Sequence, residues 1–77
     1  MRKRRLYEVY TYDGNCPDPV TVCYCNATSR WQVLEALINR DGQEEADSYD
    51  IREMGYYISG RKYLWVANGR FVGGGEE

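Results

Sequence analysis

The sequence predicts a small α+β domain, with one helix packed on one face of a four- to five-stranded, largely antiparallel sheet in the order ββαββ(β). Three observations predict it. The chain has 77 residues, enough for one hydrophobic core and too few for two. Runs dense in β-formers, each bounded by turn residues, stand in both halves of the chain. Between them lies a single apolar stripe at helical spacing.

The first strand is read from Leu6 to Tyr12, Leu-Tyr-Glu-Val-Tyr-Thr-Tyr, and Asp13-Gly14 closes it with a turn signal. Both prolines, Pro17 and Pro19, sit in the connection that follows, because neither can donate to a central ladder. The second strand then runs from Val20 to Cys25, completing a hairpin with a long loop. At Asn26-Ala27-Thr28-Ser29 the period changes. Ser29 followed three residues later by Gln32 fits a capping box, in which hydroxyl and amide satisfy orphan backbone donors reciprocally. Trp31, Leu34, Leu37 and Ile38, with Val33 alongside, form the stripe expected to face the sheet, and Gly42 is placed to end the helix. Residues 43–48 read as a polar connection. Tyr49 to Ile58 is the third strand, Ser59-Gly60 a turn, and Lys62 to Ala67 the fourth strand. Asn68-Gly69 is the strongest two-residue hairpin signal in the chain and leads to a short last strand, Arg70-Phe71-Val72. The expected organisation is a basic arm over residues 1–5, the domain over 6–72, and a flexible Gly/Glu tail over 73–77.

Eight Tyr accompany two Trp and one Phe, so most aromatic surface carries a hydroxyl that needs water or a partner. A single helix covers one sheet face and leaves the other to solvent or to a partner. Alternation along the first strand puts Tyr7, Val9 and Thr11 on one side and Leu6, Glu8, Tyr10 and Tyr12 on the other. In the fourth strand the purely apolar Leu64 and Val66 belong to the helix side, which leaves Tyr63 and Trp65 on the open side. The expected contact surface is therefore Tyr10, Tyr12, Tyr63 and Trp65 with Arg61 and Lys62, since Tyr, Trp and Arg are the residues that dominate protein interfaces.

Charge is unevenly spread although the net value is only −2. Arg2, Lys3, Arg4 and Arg5 make one pole basic. Asp41, Glu44, Glu45, Asp47, Asp50 and Glu53 make an acidic stretch, relieved only by Arg52, that offers a second docking patch. The overall sign gives no long-range pull on nucleic acid.

Several function classes are excluded by what the residues cannot do. There is no His, the commonest general acid or base and metal ligand. No nucleophile elbow, Walker loop or dinucleotide fingerprint occurs, and Gly73-Gly74-Gly75 opens no helix on which a phosphate would rest. Neither an enzyme nor a cofactor is expected. Cys16, Cys23 and Cys25 are odd in number, so they read as reduced thiols, and without His or a second pair they do not make a zinc site. No apolar run approaches the roughly 20 residues of a membrane helix, and no signal-peptide core follows the basic arm, so a cytoplasmic chain with no membrane partner is expected.

The order of hairpin, helix and strands, with the hairpin through Val22, the helix over Trp31–Ile38 and the pair Gly73-Gly74, resembles the ubiquitin-like β-grasp family. That resemblance implies a glycine terminus for conjugation or sulfur transfer, here followed by Gly75-Glu76-Glu77. The size, layout and acidic stretch also resemble small phage inhibitors of CRISPR effectors, which implies an acidic surface that competes with nucleic acid. The function expected from the residues is a non-catalytic protein-binding module, with another protein as partner. Two further expectations stand beside it: single-stranded nucleic-acid binding through Tyr63, Trp65, Arg61, Lys62 and the basic arm, and a homodimer formed through the exposed sheet.

Overall fold

The computed structural model describes residues 3–74. It is a small α+β domain: β1 (Arg5–Tyr12), β2 (Pro19–Ala27), α1 (Arg30–Asp41), α2 (Gln43–Asp47), β3 (Asp50–Met54), β4 (Tyr63–Ala67) and β5 (Arg70–Gly74). The five strands form one open sheet in the order β3-β1-β2-β4-β5. Every neighbouring pair is antiparallel except β2 and β4, which run parallel from Tyr24 opposite Tyr63 to Asn26 opposite Trp65.

The β1–β2 hairpin carries a register shift between Val9 and Tyr10. Its loop is held by the Asp13 carboxylate, which accepts from the Asn15 N–H at 3.0 Å, and by the Asp13 carbonyl, which accepts from Cys16 N–H at 3.0 Å. Ser29 caps α1 as its sequence predicts, its hydroxyl accepting the Gln32 N–H at 3.2 Å. The other half of the capping box does not form. Gln32 instead accepts the Gly69 N–H at 2.6 Å, while Asn39 donates to the Gly69 carbonyl at 2.7 Å. The β4–β5 turn is thus pinned to the helix through both backbone groups of one glycine. Asn68 at φ 55° and Gly69 at φ 68° supply the two left-handed residues that such a turn requires.

Four expectations about the helical region and the strands are corrected. Trp31 does not face the sheet; it is 60% exposed. The buried residues of α1 are Val33, Ala36 and Leu37, and at about 100° per residue Trp31 lies about 160° round the helix from Val33. Residues 43–47 are helical, because Ala46 is buried in the core and Glu44 and Glu45 stand in the first turn, where the helix dipole favours negative charge. The third strand ends at Met54 and does not reach Ile58, while β5 extends through Gly73 to Gly74. Residues 75–77 of the expected tail, and Met1 and Arg2 of the expected arm, lie outside the described residues.

The core lies between the sheet and the helices. Tyr7, Val9, Cys25 and Ala27 from the central strands meet Val33, Ala36 and Leu37 from α1, Ala46 from α2 and Val66 from β4. Leu34, Ile38, Tyr49, Ile51 and Phe71 pack around its rim. Leu64 and Val66 therefore face the helix as expected, and the alternation sends Tyr63 and Trp65 to the other side.

That other side is less open than one helix alone would leave it. Strands β3 and β4 lie on opposite sides of the β1–β2 hairpin, so the chain between them must cross two strands. The helices occupy one face. Residues 55–62 bring Tyr57 onto the other, where its ring stacks on Tyr63 at 5.0 Å between centroids and 25° between planes.

Candidate interaction surface

The sheet face opposite the helices divides into two ends with different chemistry. At the end where β1 begins, the chain crossing from β3 presents Tyr56 and Tyr57, 63% and 62% exposed, above Leu6 and the buried Met54. Lys3, Arg4, Arg5 and Glu53 complete a shallow cleft of about 460 Å³ with them. Beside this cleft, Tyr63 is the buried floor of an aromatic stack, with Tyr57 above it and the Tyr24 ring 5.4 Å away. The Tyr63 hydroxyl is satisfied, accepting the Ile58 N–H at 2.9 Å, so this tyrosine anchors the crossing segment. Its expected role as a contact residue is corrected accordingly: its ring lies on the predicted face but is covered.

Among the described basic residues, Arg4 has the most hydrogen-bond partners. Its Nε donates to Asn26 Oδ1 at 2.6 Å, and its Nη2 donates to the Asn26 carbonyl at 2.7 Å and to the Val66 carbonyl. The guanidinium lies over the Trp65 ring, 3.8 Å from its centroid. Arg4 therefore fastens the start of β1 to β2 and β4. Burial lowers its pKa from the ordinary guanidinium value. Arg4 and Arg5 are therefore not free in solvent, since Arg5 also pairs with Glu53 at 3.1 Å across to β3.

Arg61 and Lys62 stand just before β4, and the Arg61 guanidinium lies 5.9 Å from the Tyr24 ring. Among the described residues no salt bridge engages either cation. Trp65 remains 39% exposed at its edge. Trp65 adjoins the cleft of Tyr56 and Tyr57 through Arg4, and Arg61 reaches the aromatic stack through Tyr24, while Lys62 lines a separate cleft with residues 21–24; Tyr56 and Tyr57 themselves fall in a segment expected to be strand.

Tyr10 and Tyr12 are on the expected face but at its far end. Their rings meet edge to face at 6.0 Å. Glu8 separates them from the basic end, accepting from the Thr21 hydroxyl at 2.8 Å and pairing with Arg52, whose own pKa is raised by that hydrogen bond and the carboxylate charge. The six predicted residues consequently do not make one patch.

The acidic stretch divides as well. Asp41 is paired in two-pronged fashion with Arg40 at 2.9 Å and accepts the Tyr49 hydroxyl at 2.9 Å, and Glu53 is neutralised by Arg5 at the opposite end of β3 from Asp50. Glu44, Glu45, Asp47 and Asp50 remain exposed, at the end of the sheet that also carries Asp13 and Asp18 of the hairpin loop. The Thr11 hydroxyl joins the two regions by donating to the Ser48 carbonyl at 3.1 Å. The molecule is therefore charged oppositely at its two ends.

Among the described residues no helix is long and apolar enough to cross a membrane, and no group of three or more potential metal ligands is assembled. No protein-family model matches the chain, and neither a curated protein nor a solved structure matches it.

Proposed function

We propose that this is a non-catalytic protein-binding module whose contact surface is the basic, aromatic end of the sheet. Tyr56, Tyr57 and Trp65 supply the apolar contact, and Lys3, Arg61 and Lys62 supply the surrounding charge, so the fitting partner is an acidic protein surface. The observation that carries the reading is the exposure of the adjacent Tyr56 and Tyr57 on a segment held down by the buried Tyr63. Large rings held in place lose little conformational entropy on contact, which is what makes tyrosine effective at interfaces.

A protein is favoured over single-stranded nucleic acid because part of the ring surface on which a base would stack is already used. Tyr63 is covered by Tyr57, and the Trp65 face is covered by Arg4. The outer surfaces of Tyr56 and Tyr57 remain, and with their hydroxyls they suit side-chain packing and hydrogen bonding. The acidic far end also repels a phosphate chain laid along the whole face.

Affinity capture from the native host, with the double substitution Tyr56→Ser/Tyr57→Ser beside the unchanged chain, tests the surface. The captured partner should be lost with the tyrosines, by about 30-fold or more in affinity if they are energetic centres, and retained with Glu44→Gln/Glu45→Gln. The reverse pattern would transfer the function to the acidic end. Titration of Trp emission with short single-stranded RNA and DNA at low salt should give no saturable quenching at micromolar protein; saturation there would overturn the choice of partner.

A further inference from the structure

A second cleft, of about 650 Å³, opens where β4 stops short of β2. Strand β4 pairs with β2 only from Tyr24 to Asn26, so the β2 edge before Tyr24 has no neighbour on that side among the described residues. Cys23 lines this notch together with Tyr24, Arg40, Arg61 and Lys62. Its sulfur lies 3.8 Å from that of Cys25, which is fully buried on the same strand face.

The thiol and the charged groups at this notch come from three elements. On β2 the neighbour is the Cys25 thiol. On α1, Arg40 faces it but is already paired with Asp41, so the two largely cancel. Before β4, Arg61 and Lys62 are free of salt bridges among the described residues and leave the notch positive. The third thiol, Cys16, is exposed and stands in a loop between Asp13 and Asp18, the opposite electrostatic setting.

We propose that Cys23 is a thiol modification site selective for anionic disulfides, which the Arg61 and Lys62 cations draw into the notch. The Cys23 sulfur attacks one sulfur of the reagent, a new S–S bond forms between them, and the reagent's own S–S bond breaks. The departing thiolate carries away the electron pair, the Cys23 proton goes to solvent, Cys23 is oxidised and the reagent disulfide is reduced. Hydrogen bonding from Cys25 lowers the Cys23 pKa, with burial opposing and Arg40 assisting, while Cys25, as donor and by burial, is pushed up and stays a thiol.

The test compares two reagents on the intact protein, the dianion 5,5′-dithiobis(2-nitrobenzoate) and the uncharged 2,2′-dithiodipyridine, with Cys16→Ser used to read Cys23 and Cys23→Ser used to read Cys16. The ratio of anionic to neutral rate should be on the order of tenfold higher at Cys23 than at Cys16, within the range of electrostatic focusing. Substituting Arg61→Ala/Lys62→Ala should remove most of that excess and leave the neutral rate at Cys23 within about twofold, as should raised salt on the unsubstituted cleft. Equal ratios at the two cysteines, an equal change with both reagents on removing the cations, or no labelling of Cys23 by either reagent while Cys16 reacts would each overturn the proposal.

Discussion

Replacing Arg4 by Ala tests whether one side chain fastens three strands together. Its three hydrogen bonds reach Asn26 Oδ1, the Asn26 carbonyl and the Val66 carbonyl, and its guanidinium covers Trp65. Because Arg4 is only partly buried, water can replace it at the acceptors, so each bond is assigned about 0.5–1 kcal/mol. The cation over the ring adds about 0.5–1 kcal/mol. These pieces share one group and are not additive, which sets the expected loss at about 2–3 kcal/mol. For a chain of this length total stability is about 4–11 kcal/mol, so the loss is large and should lower Tm by about 10–20 °C. Arg4→Lys keeps the charge without the planar fork and should recover less than half of it. Urea unfolding followed by circular dichroism measures the loss, and Trp emission should shift to the red as the Trp65 face is uncovered. The exposed pair Arg5–Glu53 serves as the reference, with Arg5→Ala expected to cost no more than about 0.5 kcal/mol. An Arg4→Ala loss below that of Arg5→Ala, with emission unchanged, would refute the reasoning.

Three further predictions concern the helix, the turn and acid stability. Trp31→Ala should cost under about 0.5 kcal/mol, whereas Leu37→Ala, fully buried in α1, should cost about 2–5 kcal/mol; denaturant melts of the two variants compare them directly. Gly69→Ala should destabilise by about 1–2 kcal/mol, because φ 68° strains an L-residue and its Cβ would stand 2.5 Å from the movable Glu35 carboxylate; Gly14→Ala, with nothing near it, is the comparison. The Arg40 hydrogen bond, joined by that of Tyr49 and opposed by burial, holds Asp41 below its ordinary value of 3.8. The folded state therefore binds that proton less readily than the unfolded chain. The contribution is complete above the unfolded value and is lost as pH falls through the lower folded one. Asp41→Asn should consequently flatten the decline in stability between about pH 5 and pH 2, measured by urea midpoints at each pH.

What the sequence made legible was local chemistry. Ser29 as a cap, Gly42 as a helix end and Asn68-Gly69 as a turn each depend on a few adjacent atoms, and each holds. Trp31 falls outside the core because the buried stripe centres on Val33, between Leu37 and Ala36, and the small Ala36 on its far edge carries little hydropathy weight. Helix α2 was missed because its four polar residues and one alanine have no apolar period; the buried Ala46 and packing against α1 hold it. The candidate surface was half legible. Trp65, Arg61 and Lys62 stand exposed, but Tyr63 is covered by Tyr57 and Tyr10 and Tyr12 lie at the far end, because the order β3-β1-β2-β4-β5 is a tertiary property. Arg4 looked like one of four solvated charges until its acceptors on β2 and β4 were in view.

The link between β3 and β4 also has a length consequence. Three strand spacings separate its anchor points, about 14 Å. Its eight residues, 55–62, can span about 26–29 Å if extended. The slack lets the link lie over the sheet face, where Tyr57 rests on Tyr63 and both Tyr56 and Tyr57 keep most of their surface exposed. How far these rings project is therefore set by the number of residues in the link as much as by their identity, and a loop shortened by two would still reach β4 while drawing the tyrosines down toward the sheet.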